Sequence, residues 1–159
     1  LSLAQKRIKV HFYVSGKIFN KCPFIVGNDF QELEKGVKIG MVRNNEINFV
    51  KSDLKRKGVR LFAQDPDLSL LSLSQKLLNN DKGLKISLVS DDFKLVKNAN
   101  LFFKGKINIL SLSSFLLKIH RTIPNKQLRT YFKNIWKKSL NYSLISWNHF
   151  NSSHKSSHH

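Results

Sequence analysis

The chain has 159 residues, 41% of them apolar, with 28 Lys and Arg against 10 Asp and Glu for a formal charge of +18. That length suits one domain with a real core, and a charge of that sign and size is the footprint of a polyanionic partner. Cys22 is the sole cysteine, which excludes an internal disulfide and a cysteine-based zinc cluster and makes an intracellular, reducing, cytoplasmic setting the expectation; the lack of an apolar run of about eighteen residues excludes a spanning helix.

Ile8 to Val14 alternates and is rich in β-formers, so it reads as a strand. Gln31 to Lys35 and Asn44 to Lys57 read as helices, and Val59-Arg-Leu-Phe62 as a second strand. Asp67 sits where an N-cap carboxylate would open the next helix, with Leu70, Leu71, Ser74, Leu77 and Leu78 at helical spacing behind it. The run Leu84 to Ser90 is a strand that ends in Asp91-Asp92. Phe93 to Asn98 forms a short helix, Lys106 to Leu110 a strand, and Ser111 to His120 a final helix. Alternating β and α segments predict a parallel sheet covered by helices, with Ile8–Val14, Val59–Phe62, Lys85–Val89 and Ile107–Leu110 as neighbours in one domain over residues 6–120. Residues 121–150 form a basic helical extension. In it Pro124 suits the first turn, and Leu128, Phe132, Ile135, Trp136 and Leu140 recur on one face that docks on the domain or on a protein neighbour. Residues 151–159 are a polar, His-rich tail expected to be disordered.

Acidic side chains are ordered along the chain. Asp67 opens one element, Asp91 and Asp92 close another, and nothing acidic follows Asp92. In an open parallel sheet, ligands bind beyond the carboxyl ends of the strands, where carboxylates from two elements can share a divalent cation. There is no glycine-rich phosphate loop, because Gly16, Gly27, Gly36 and Gly40 lack the spacing.

The stretch Asp65-Pro-Asp-Leu-Ser-Leu-Leu-Ser-Leu-Ser-Gln-Lys-Leu77, followed by Ile86-Ser-Leu-Val-Ser-Asp-Asp-Phe-Lys-Leu-Val-Lys-Asn-Ala99, resembles the second half of a PIN domain, the fold of many metal-dependent ribonucleases. The likeness extends more weakly over residues 6–120. It implies an α/β three-layer domain with a central parallel sheet, in which Glu32 is similar to the family's helical Glu, Asp67 to the Asp that opens a later helix, and Asp92 to the Asp of a Ser/Thr-x-Asp pattern, with Asp91 at the x position. By that resemblance Glu32, Asp67, Asp91 and Asp92 are the metal ligands, magnesium or manganese the cofactor, and Asp67 and Asp92 the catalytic pair if activity survives. The departure is at the first strand, where Ser15 stands in place of an Asp and Lys17 follows, while Lys94 stands where a further acid is often found. Losing a carboxylate and gaining ammonium groups weakens binding of a hard dication and with it metal-assisted hydrolysis.

Residues 93–159 hold no acid, and Lys126, Arg129, Lys133, Lys137 and Lys138 project away from the apolar stripe of the extension. These are the expected RNA-binding residues, with ribosomal RNA the expected polyanion, ribosomal proteins as neighbours, and no cofactor required. Trp147 and Phe150 are candidates for stacking on bases. The alternatives are an active magnesium- or manganese-dependent ribonuclease, and a toxin-like adaptor covered by a protein partner. A basic helix lying on an anionic membrane ranks below them.

Overall fold

The computed structural model describes residues 11–19, 37–122, 125–127, 129–131 and 133–141. Strand β1 (Phe12–Ser15) runs into a single helical turn, α1 (Gly16–Phe19), and β2 (Val37–Gly40) precedes helices α2 (Asn44–Arg56) and α3 (Asp65–Asn80). Strand β3 (Ser87–Val89), α4 (Phe93–Phe103), β4 (Asn108–Leu110) and α5 (Leu112–Thr122) follow. Further described residues, 126–127, 129–131 and 133–141, are helical. The start of the expected first strand, the helix Gln31–Lys35, Pro124, Leu128, Phe132 and the tail 151–159 lie outside the described residues.

The chain is mixed α/β, and its strands pair in parallel. Ser15 lies opposite Gly40 in the β1–β2 register, and Leu88 lies opposite Ile109 in β3–β4. Among the described residues these are two separate pairs, so the single four-stranded sheet expected from the sequence is not formed.

Val59–Phe62 explains part of the difference, because it is not a strand. Helix α2 ends in a Schellman turn: Gly58 takes φ +81, its N–H donates to Lys55 O at 3.0 Å, and Val59 N–H donates to Leu54 O at 3.0 Å. The backbone that follows is satisfied by a side chain. Ala63 N–H donates to Asn98 Oδ1 at 2.9 Å, and Asn98 Nδ2 donates to Leu61 O at 3.3 Å. β-rich composition supplies no strand when a buried amide takes the ladder's place.

Three helical stripes make the core. Ile47, Val50 and Leu54 of α2, Leu68 and Leu71 of α3, and Leu95, Ala99 and Phe103 of α4 are buried around Leu88 of β3 and Ile107. Each large side chain among them contributes roughly 1.5–3 kcal/mol by leaving water. The expected α3 stripe shifts toward the N-terminus, since Leu68 to Ser74 are almost all buried while Leu70, Leu77 and Leu78 are half-buried. No described helix is long and apolar enough to cross a membrane.

Helix α3 also carries a second face toward the β1–β2 pair. Ser69 and Leu73, four residues apart, share that face. A Cβ on Gly40 would collide with the Leu73 side chain, so the strand approaches the helix as closely as only glycine permits.

Strands β3 and β4 are shorter than the runs Leu84–Ser90 and Lys106–Leu110, α5 is shifted from Ser111–His120, and two helix boundaries bear on the acidic residues and on Asn98. Asp67 is not the N-cap of α3: the helix starts at Asp65 behind Gln64, with Pro66 in the first turn. Helix α4 continues past Asn98 to Phe103, where Lys104 at φ 49 and Gly105 at φ 83 end it. Asparagine is a weak helix former, but here its buried amide is used across the fold.

Candidate functional site

Ser15 closes β1 and is fully buried. Its Oγ accepts Ile18 N–H at 3.3 Å, which caps α1, and lies 2.5 Å from Ser69 Oγ. Ser69 Oγ donates to Pro66 O at 2.5 Å, so its single proton is committed there and Ser15 is the donor between the two hydroxyls. The position where the PIN resemblance calls for a carboxylate thus holds a neutral hydroxyl inside a closed chain of donors and acceptors. That chain ties the end of β1 to the first turn of α3, the turn that carries Asp67. Asp67 is half-buried, close to the partial positive charge of the helix N-terminus. Ser69 was not singled out in the sequence; its spacing four residues before Leu73 is the signal that puts it on this face. Lys17, expected beside the site, donates from Nζ to Asn44 Oδ1 at 2.6 Å, at the start of α2.

The Asp pair beyond β3 is split between two helices. Asp92 is the N-cap of α4, its Oδ1 accepting Leu95 N–H at 2.6 Å. Asp91 Oδ1 accepts Leu112 N–H at 3.1 Å, at the first residue of α5. Ser111 Oγ accepts Ser114 N–H at 3.1 Å and caps the same helix. Each carboxylate therefore satisfies an orphan backbone donor and meets the positive end of a helix dipole.

Glu32 lies outside the described residues. Among the described residues no three His, Cys, Asp or Glu side chains are grouped to hold a metal ion. Asp91 and Asp92 each have one oxygen engaged by a helix N-terminus, and the neutral Ser15 hydroxyl is a poorer donor to a hard dication than a carboxylate at that position would be.

Other acids are committed within the first half of the fold. Glu46 Oε2 accepts Arg43 N–H at 2.6 Å, and its Oε1 lies 2.8 Å from Lys76 Nζ. The Arg43 N–H, and after it the Lys76 ammonium, hold the Glu46 carboxyl below its ordinary value of 4.5. Asp53 lies 2.5 Å from Lys57 Nζ and 3.4 Å from Arg56, Asp65 lies 2.5 Å from Lys51, and Asp81 accepts Gly83 N–H at 2.8 Å.

From Lys94 onward every described Lys and Arg is exposed: Lys94, Lys97, Lys104, Lys106, Lys118 and Arg121, then Lys126, Arg129, Lys133, Lys137 and Lys138 on the C-terminal helical residues. Ile135 and Trp136 are half-buried there and Ser139 is buried, its Oγ donating to Trp136 O at 2.7 Å. The cations and the packing side chains thus separate. Leu140, expected on the docked face, is 37% exposed. Lys155, Trp147 and Phe150 lie outside the described residues. No protein-family model, curated protein or solved structure matches this chain.

Proposed function

We propose that this chain is an RNA-binding protein built on a PIN-like domain whose active site is degraded, acting as a structural component of an RNA assembly such as the ribosome. The observation that carries the reading is the exposed basic surface of the acid-free half, from Lys94 to Lys138. Neutralising phosphates releases condensed counterions, so such a surface binds RNA strongly and without much regard to sequence. The hydroxyl chain at Ser15 supports loss of the metal site, because a buried network with every proton assigned has no room for a dication. The finer architecture, a three-layer domain with a central sheet, belongs to this same proposal, as do ribosomal RNA as partner and the cytoplasm as location.

The test is salt-dependent binding of labelled structured RNA by the full chain. For single strands, log affinity against log salt falls by about 0.7 per phosphate contact. Neutralising Lys126, Arg129, Lys133, Lys137 and Lys138 together flattens the slope by up to about 3.5 and weakens binding across sequences. In extract the protein sediments with ribosomal particles at low salt and is released at high salt. Free migration in both conditions, with RNA affinity unchanged in the five-site variant, rejects the reading in favour of an adaptor. Metal-dependent cleavage that disappears in Asp92→Asn establishes the nuclease instead.

A further inference from the structure

The turn after α2 faces α4 across an open cleft of about 240 Å³, lined by Val59, Arg60, Leu61, Phe93, Lys97 and Leu101. Its walls are held in place. On one side the Schellman turn at Gly58 and the two hydrogen bonds from fully buried Asn98 pin the backbone from residue 58 to 63. Leu61 is 63% exposed on a backbone that cannot fold it inward. On the other side Phe93, Lys97 and Leu101 stand one turn apart along α4.

The charges at this cleft have one sign. Arg60 and Lys97 are exposed, and neither belongs to an ion pair among the described residues. Asp53, at the end of α2, is held by Lys57 and Arg56. Along α4, Lys94, Lys97, Leu101 and Lys104 follow at steps of three and four and are all exposed, so a basic stripe about 15 Å long, at 1.5 Å per residue, runs past the cleft. A cleft of this size is below the range that takes a drug-sized ligand and suits a single flat ring.

We infer that the cleft seats one unpaired base of a bound RNA, its face against Leu61 and Leu101 and its flanking phosphates on Arg60 and Lys97. This rests on the RNA-binding reading and adds to it a preference for single-stranded over fully paired RNA. Single strands present an apolar ring and a fixed negative charge at every residue, which matches an apolar floor with a cationic rim.

The experiment measures binding of the full chain to an eight-nucleotide oligouridylate and to a base-free backbone of the same length and charge. The base-bearing oligomer is expected to bind about fivefold tighter, the low end for stacking because the floor is mainly aliphatic. Leu61→Ser, at an exposed position, brings that ratio toward one and leaves the salt slope unchanged. Arg60→Gln with Lys97→Gln weakens both oligomers and lowers the slope by about 1.4. Equal binding of the two oligomers by the unmodified chain, or a ratio untouched by Leu61→Ser, overturns the cleft proposal while RNA binding itself persists. Absence of binding to either oligomer and to structured RNA at low salt overturns both.

Discussion

Replacing Ser15 tests the hydroxyl chain directly. In Ser15→Ala the Ile18 N–H loses its acceptor and Ser69 Oγ loses its donor, in a site with no exposed surface. A buried hydrogen bond contributes about 1 kcal/mol and an N-cap about 1 kcal/mol, so the expected loss is about 2 kcal/mol. At 2–4 °C per kcal/mol that is a fall in Tm of roughly 4–8 °C. Ser15→Asp costs more. It adds atoms to a filled site, at roughly 1–3 kcal/mol, and places a carboxylate where the neighbouring hydroxyl proton is already directed to Pro66 O. The sum is about 4 kcal/mol near neutral pH. Burial raises the folded-state pKa of the new Asp above its unfolded value, so the native state binds more protons than the unfolded one between those two values. Stability then falls as pH rises through that window, and the penalty fades below the unfolded value of about 3.9. Thermal melts of the three proteins between pH 3.5 and 7.5 read this as a gap between Asp and Ser that widens with pH. A Ser15→Asp protein melting within about 1 °C of the parent at pH 7, or gaining stability from magnesium or manganese there, would refute the closed chain and restore a metal site at the end of β1.

Gly40→Ala drives a methyl into Leu73 and is expected to cost roughly 1–3 kcal/mol in urea unfolding, part of it recovered in the double variant with Leu73→Ala. Asp92→Asn keeps an acceptor for Leu95 N–H and should melt close to the parent, whereas Asp92→Ala loses about 1 kcal/mol. Asn98→Leu leaves Ala63 N–H and Leu61 O without partners and is expected to destabilise by roughly 2–4 kcal/mol by chemical denaturation. Because the Glu46 carboxyl is held below its ordinary value, its contribution is complete above that value and is lost as pH falls through the lowered one; Glu46→Gln should therefore flatten the acid limb of a Tm-against-pH curve.

Residue spacing located the helices that make the core, though not all of their ends. Ile47, Val50 and Leu54 repeat at the helical period within the helix expected over Asn44–Lys57, because that period follows from backbone geometry, whereas Ala99 and Phe103 complete the α4 stripe beyond the Asn98 end expected from the sequence. The parallel sense of β3 and β4 was legible for a related reason: a strand, a helix and a strand with short connections return the chain in the same direction. Charge segregation was legible outright, since it is a property of composition along the chain. Strand character at Val59–Phe62 was not, because it depended on whether another strand or Asn98 supplied the hydrogen bonds, and Asn98 is more than thirty residues away. The fate of the Asp pair was open for the same reason. Adjacent carboxylates after a strand suit a metal or a cap equally well in sequence, and only the pairing of β4 with β3, which sets the start of α5 beside the end of β3, gave Asp91 the Leu112 N–H to accept. Ser15 shows the limit most sharply: its identity marks a missing charge, but its burial against Ser69 comes from the close approach of β2 and α3 that Gly40 permits. Local period and charge are written in consecutive residues; which buried polar group satisfies which backbone is decided only when distant segments meet.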